Sequence, residues 1–148
     1  MSDALHVINV EAAIYRDDQW LMIERSAEEE HAGGTLSMVG GTVELDDADD
    51  NILEAAIDRE VMEEVAVRVG ANKTYVESKA FVGPKGNHVV DIVLLCPYES
   101  GEPRAVDASE VAWVGWMSLS QILEHAQTPP WIRQSMIKAE DIRAAQEA

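Results

Sequence analysis

Arg59-Glu60-Val61-Met62-Glu63-Glu64-Val65 is the stretch on which the reading of this chain turns. On a helix of about 3.6 residues per turn, Leu53, Ile57, Val61 and Val65 recur at intervals of four and form an apolar stripe. Glu60 and Glu64 are also four apart, and Glu63 is three from Glu60, so the three carboxylates can converge. By angle, Glu64 falls inside the stripe and Glu60 at its border, whereas a solvated acidic face would lie opposite. An inward carboxylate is costly unless its charge is compensated. A hard divalent cation, Mg²⁺ or Mn²⁺, would compensate it through oxygen ligands. Arg59, four before Glu63, is placed to pair with it. Glu54 falls within the same arc, so a merely charged surface helix stays open on these residues alone.

Outward toward the N-terminus, the helix is preceded by Asp46 to Asn51, an acidic loop, and by Leu36-Ser37-Met38-Val39-Gly40-Gly41-Thr42-Val43-Glu44. Glycines allow sharp turns and close approach of backbone to a phosphate, which makes Gly40 and Gly41 candidate substrate contacts. Val7 to Tyr15 and Trp20 to Glu24 read as a hairpin about the turn Arg16-Asp17-Asp18-Gln19. Ser26 to Thr35 reads as a loop and Leu36 to Val39 as a short strand.

Toward the C-terminus, Ala66 to Lys73 is a connector. Tyr75 to Val82 and His88 to Tyr98 are strands joined by a glycine turn, and Val111 to Met117 is a further strand. Ser118 is placed to cap a helix to about His125. Pro129-Pro130 end it, and Trp131 to Ala145 is the last helix. Strands and helices mix without strict alternation, which predicts an α/β fold with a mixed sheet in a single domain over 1–148.

Composition narrows the partners. Lys and Arg total 11 against 28 Asp and Glu, a net charge of −17. That excludes a nucleic-acid backbone and an anionic membrane surface as expected partners. The excess charge chiefly promotes solubility. No secretory segment or membrane-length apolar run is visible, so a cytoplasmic location is expected. The lone Cys96 lies in an apolar run and reads as packing. Trp20, Trp113, Trp116 and Trp131 read as core or interface, and His31 and His88 as loop or strand-end residues. Trp131, Met136 and Ile137 on the last helix are a candidate homodimer contact.

The glycine pair and the acidic helix together resemble the Nudix box, G-x5-E-x7-R-E-U-x-E-E-x-G-U with U aliphatic. Gly41 stands at the opening glycine, Arg59, Glu60, Val61, Glu63 and Glu64 at the core, and Val67 at the closing aliphatic position. Asp47 stands where the first glutamate is expected from Gly41, but eleven residues, not seven, separate it from Arg59. Counting back from Arg59 puts Asn51 there instead, so the position is open between the two. Ala66 replaces the box glycine, and because alanine in the left-handed conformation costs on the order of 1 kcal/mol, the helix is expected to run on toward Gly70. Val39 and Leu36 replace a common proline and a common tryptophan of the lead-in.

The resemblance implies an α/β/α sandwich and hydrolysis of a diphosphate linkage in a small nucleotide-like substrate. It implies Glu60, Glu63 and Glu64 as metal ligands, with a further contact from the Gly41 backbone. Glu110, ahead of Trp116-Met117-Ser118-Leu119, is either another ligand or the general base, or an exposed loop carboxylate. Arg59 orients carboxylates. Arg25 is placed like an arginine that contacts phosphate in some members, and Lys85 reads as an exposed turn lysine. Pro84 gives ADP-ribose weak support; a nucleoside triphosphate is equally open. Two other readings stand beside the hydrolase: a degenerate Nudix domain that binds a nucleotide as a sensor, and an acidic α/β domain with a chance box match.

Overall fold

The computed structural model describes residues 4–147. Strand β1 (Val7–Arg16) turns through Asp17 into β2 (Gln19–Arg25), and β3 (Leu36–Ser37) and β4 (Val39–Thr42) follow the loop. Helix α1 (Ile52–Val65) precedes β5 (Arg68–Val69), β6 (Thr74–Val82), β7 (His88–Ser100) and β8 (Val111–Ser118). Helices α2 (Leu119–Glu124) and α3 (Pro130–Glu147) close the chain.

The sheet is mixed, as expected. Its centre is the parallel pair β1 and β7, in register from Val7 beside Val89 to Tyr15 beside Pro97. The other pairings are antiparallel. Along its other side β1 changes partner, from β4 over Asn9–Ala12 to β2 over Ile14–Arg16.

Alternation along the central strands sends side chains to opposite faces, and each face builds its own core. Val10, Ala12 and Ile14 of β1 join Leu21, Ile23, Leu94 and Cys96 under Ala56, Ile57, Val61 and Val65 of α1. Ala13, Trp20, Met22, Val93 and Leu95 pack on the other face with Ile122 of α2 and Ile132, Met136 and Ala139 of α3. The result is three layers, helix, sheet and helices. Leu53 is only partly buried, so the stripe of α1 runs through Ala56, Ile57, Val61 and Val65. Cys96 is fully buried, and burial pushes its thiol up to about 12, which fits its reading as packing. Trp116 packs edge-on against Tyr98 with the Arg16 guanidinium over its ring.

Three expectations need correction. The first is the run-on of α1 toward Gly70. The helix stops at Val65, with Ala66 in the left-handed conformation (φ 61°) donating its N–H to Met62 O. The segment after β7 explains this: Arg104 N–H donates to Val65 O and Val106 N–H to Glu64 O, so the last helical carbonyls are already paired. The connector that follows makes the two-residue strand β5 against the end of β7. The second concerns the dimer contact. Met136 is wholly buried in the core, leaving Trp131 and Ile137 exposed on α3. The third is Pro130, which does not stop a helix but opens α3, a position that needs no N–H. Ser118 caps α2 as expected, and Gln121 reciprocates to form a capping box. No helix among the described residues is long and apolar enough to cross a membrane.

Candidate active site

A cleft of about 720 Å³ opens between α1, the loop after β2 and the β1, β6 and β7 strands. Glu60 and Glu64 reach it from α1, Gly40 and Gly41 from β4, Arg25 from the end of β2, and Glu110 from the start of β8. Five of the sequence candidates therefore meet Glu64 in one place. Glu63 does not line the cleft: its side chain is 59% exposed and pairs with Arg59. The expected convergence of three carboxylates is thus a convergence of two, since the turn between Glu60 and Glu63 carries the latter outward.

Glu64 is half-buried at the cleft wall. Burial, a hydrogen bond with Glu60 and the negative charges of Glu60 and Glu110 push its carboxyl up to about 9, against a smaller opposing pull from Arg25. Glu110 is raised as well, by desolvation and by Asp107, Glu29, Glu60 and Glu63. Its loop is fixed by the bond from Ser26 N–H to Glu110 O at 3.0 Å. Among the described residues, no three His, Cys, Asp or Glu side chains stand close enough together to hold an ion as they are. The donor set nevertheless fits a divalent cation. Arg59 pairs with Glu60 from outside the cleft, while inside it Glu60 and Glu110 raise the half-buried Glu64, a repulsion that a cation held by these oxygens would relieve.

The glycines are explained by space. A Cβ on Gly40 would collide with the Val10 carbonyl of the paired β1 strand, and one on Gly41 would lie 2.5 Å from Glu60 Cδ. Gly40 keeps β4 against β1, and Gly41 leaves room for the Glu60 carboxylate.

Arg59 holds the outer side of the helix together. Its Nη1 donates to Glu60 Oε1 at 2.7 Å and to Glu63 Oε2 at 3.2 Å, and its Nη2 to the Thr42 carbonyl at 3.0 Å. Asp47 accepts from both Nε and Nη2. The open position of the box is thereby settled: Asp47 faces Arg59, while Asn51 occupies the helix N-cap with φ 52° and no side-chain cap bond. The extra residues form the loop between them and leave Glu60 and Glu64 in place.

Arg25 lines the cleft but is tied to the neighbouring loop, donating from Nε to His31 O at 3.0 Å. His31, read from sequence as a plain loop residue, also lines the cleft and stacks on Phe81, with ring centroids 5.4 Å apart. Sequence reading missed three more cleft residues, Asn9, Glu11 and Asp91. Glu11 is raised well above its usual range by burial and by a hydrogen bond with Asp91. A signal was present: Asn9 and Glu11 share one face of an otherwise apolar strand. Lys85 sits in the exposed turn, as read.

With this geometry the relatives can be weighed. A family model described as NUDIX domain matches residues 5–138. The chain belongs to the Nudix family. Nudix hydrolases act on phosphorus-containing anhydrides, and this chain is one of them. A MutT NUDIX hydrolase from Burkholderia pseudomallei is 25% identical, with a TM-score of 0.76, over 90% of this chain and 98% of that one. A MutT protein from Methanosarcina mazei Go1 is 22% identical, with a TM-score of 0.74, over 97% and 99%. A UDP-X diphosphatase is 12% identical, with a TM-score of 0.72, over 99% of this chain and 66% of that one. No curated protein sequence matches the chain.

Proposed function

We propose that this Nudix protein is a Mg²⁺- or Mn²⁺-dependent hydrolase that cuts the diphosphate linkage of a nucleoside diphosphate joined to another group. The observation that carries this reading is the placement of Glu60 and Glu64 side by side on the cleft wall, with Glu64 pushed up to about 9. Glu60 and Glu64 would hold the cation, with the Gly41 backbone beside them and Glu63 joining by a side-chain rotation. A divalent cation bound there stabilises charge on phosphoryl oxygens and lowers the pKa of an attacking water. Glu110, which also lines the cleft and is raised by desolvation and by its acidic neighbours, serves as the general base or as an additional ligand. Arg25 contacts a phosphate of the substrate. Arg59 is a positioning residue: its side chain grips Glu60 from outside the cleft.

The UDP-X diphosphatase likeness is one of fold alone at 12% identity, so uridine diphosphate compounds enter as candidates beside ADP-ribose. The test incubates the protein and its Glu64→Gln variant with Mg²⁺ and ADP-ribose, UDP-glucose, dinucleoside polyphosphates and nucleoside triphosphates, and separates products by chromatography. Cleavage by the parent and its loss in the variant is the expected result. Ligand-induced thermal stabilisation without cleavage of any compound replaces this reading with that of a sensor.

A further inference from the structure

Strand β6 is one border of the sheet. It pairs along one side with β7, from Thr74 beside Leu95 to Val82 beside His88, and no other strand of the described residues takes its second side. The outward N–H and C=O groups of a nine-residue strand therefore stand at an open edge, the arrangement through which a further strand joins a sheet. A bulge lies between Tyr75 and Glu77, and residues 77–82 run regular beyond it.

The face of this border on the α1 side is bare. Tyr75, Ser78, Ala80 and Val82 of β6 stand on it, with Ser78 beside Ile92 and Ala80 beside Val90 of β7. Ile92 packs on the core that α1 covers, but the four β6 residues are exposed, Tyr75 by 57% and Val82 by 60%. A groove of about 370 Å³ runs between Leu53 on the first turn of α1 and Tyr75, Ser78 and Ile92. Charge enters the groove at Glu54 and at Lys73, which pairs with Asp58 at 2.9 Å. Strand β6 itself sends its two charges, Glu77 and Lys79, to the other face, where both bond Ser135 of α3. In a chain of net charge −17, the border thus offers hydroxyl and apolar groups on one face and a balanced pair of charges on the other.

That distribution selects the occupant. A basic partner gains nothing here and is drawn to the acidic remainder of the surface. Two copies of this chain repel each other over most of their surfaces, and a border without excess negative charge lets them meet. The order of the charges also suits a copy. Glu77 and Lys79 are two apart and of opposite sign, so the strand complements itself when run backwards about Ser78: Glu77 of one copy stands opposite Lys79 of the other, twice. Each pair keeps its own bond of 3.1 Å inside its protomer, and the two together make a ring of alternating charge. We propose that the chain forms a two-fold dimer by antiparallel pairing of β6 with β6 of a second copy, centred on Ser78. The sheet then runs on across both protomers, and the bare faces of the two borders join into one apolar surface.

The test is sedimentation velocity on the full chain from micromolar to submillimolar concentration, with Ser78→Glu and Ser78→Thr beside the parent. The expected result is a rise to twice the chain mass in the parent and in Ser78→Thr. In Ser78→Glu two like charges face each other at the axis, and the dimer should be lost while the circular dichroism spectrum stays that of the parent. A second variant locates the contact without disturbing it. At the axis of an antiparallel pair the two Cα atoms are about 4.5–5.5 Å apart, within the reach of a disulfide, and the native Cys96 is fully buried. Ser78→Cys should therefore oxidise to a covalent dimer, faster than Glu102→Cys on the exposed loop after β7. A parent that sediments as a single chain at every concentration overturns the proposal. So does a folded Ser78→Glu that dimerises like the parent, or cross-linking at 78 no faster than at 102.

Discussion

Asp47 and Arg59 are twelve positions apart, yet the aspartate carboxylate receives two N–H groups of the guanidinium, from Nε and from Nη2. The pairing holds Asp47 below the usual carboxylate range and Arg59 above its own, and it fixes the direction in which Arg59 grips Glu60. The lengthened loop thus carries a shorter acid back to where the Nudix box places a glutamate. The same arginine also ties Thr42 O of β4 to α1, so one side chain joins the loop, the glycine strand and the acidic helix.

Removing that acid should therefore act through Arg59. Asp47→Ala is expected to lower kcat and apparent metal affinity by roughly 10- to 100-fold, the usual cost of losing a partner that orients a ligand. Asp47→Asn, which keeps the size and one acceptor, should fall between. Steady-state kinetics over a range of Mg²⁺ concentrations check this. An unchanged metal dependence in Asp47→Ala would show that Arg59 orients Glu60 without it.

The two glycines should separate by phenotype. At Gly40 the obstacle to a methyl group is the Val10 carbonyl, part of a paired strand with no room to retreat. Gly40→Ala is expected to lose at least 1–3 kcal/mol of stability, the range for forced overpacking. At Gly41 the obstacle is the carboxylate end of Glu60, a side chain that can swing away. Gly41→Ala should keep the fold and lose metal affinity and turnover. Urea unfolding and metal titration on both variants give the comparison, and equal stability losses in the pair would overturn it.

Much of this was legible in the chain. The 3.6-residue period of Ile57, Val61 and Val65 placed α1, and Glu64 inside that period pointed into the molecule, as found. Glu63 pairs with Arg59, as their spacing of four predicts, and stands outside the cleft that Glu60 and Glu64 share, which spacing alone did not separate. Asp91 and Asn9 were missed because their meaning lies in the parallel register of β1 and β7, a pairing between residues 82 positions apart that no local pattern reveals. The stop of α1 at Val65 agrees with the reading of Ala66 to Lys73 as a connector, and the run-on toward Gly70 fails because the last helical carbonyls are paired by Arg104 and Val106 of a distant segment.

That stop yields a stability prediction. Ala66 sits at φ 61°, where its Cβ is strained, and Gly101 packs so closely on its carbonyl that the exit cannot relax by extending the helix. Ala66→Gly relieves a strain of about 1–2 kcal/mol at the cost of some added freedom in the unfolded chain. The net gain of roughly 1 kcal/mol corresponds to a rise of about 2–4 °C in Tm for a domain near this size. A calorimetric scan showing a fall would mean that the left-handed turn costs alanine little here.

The last prediction concerns pH in the absence of metal. Glu64 has a folded pKa of about 9, above its usual 4.5, because of burial and of Glu60 and Glu110 beside it. The folded state therefore binds a proton more tightly than the unfolded one. Its contribution is fully present below about pH 4.5 and is lost as pH rises toward about 9. In EDTA, Tm should fall between pH 5 and pH 8 by several degrees more in the parent than in Glu64→Gln, so that the variant melts higher at pH 8. Adding Mg²⁺ at pH 8 should reverse the order, because a cation stabilises the carboxylate and gives the amide little. The decisive measurement is the difference in Tm between the two proteins at pH 5 and pH 8, with and without Mg²⁺. If that difference is independent of pH in EDTA, Glu64 is already ionised and its charge is balanced within the protein, and the electrostatic case for a cation beside it fails.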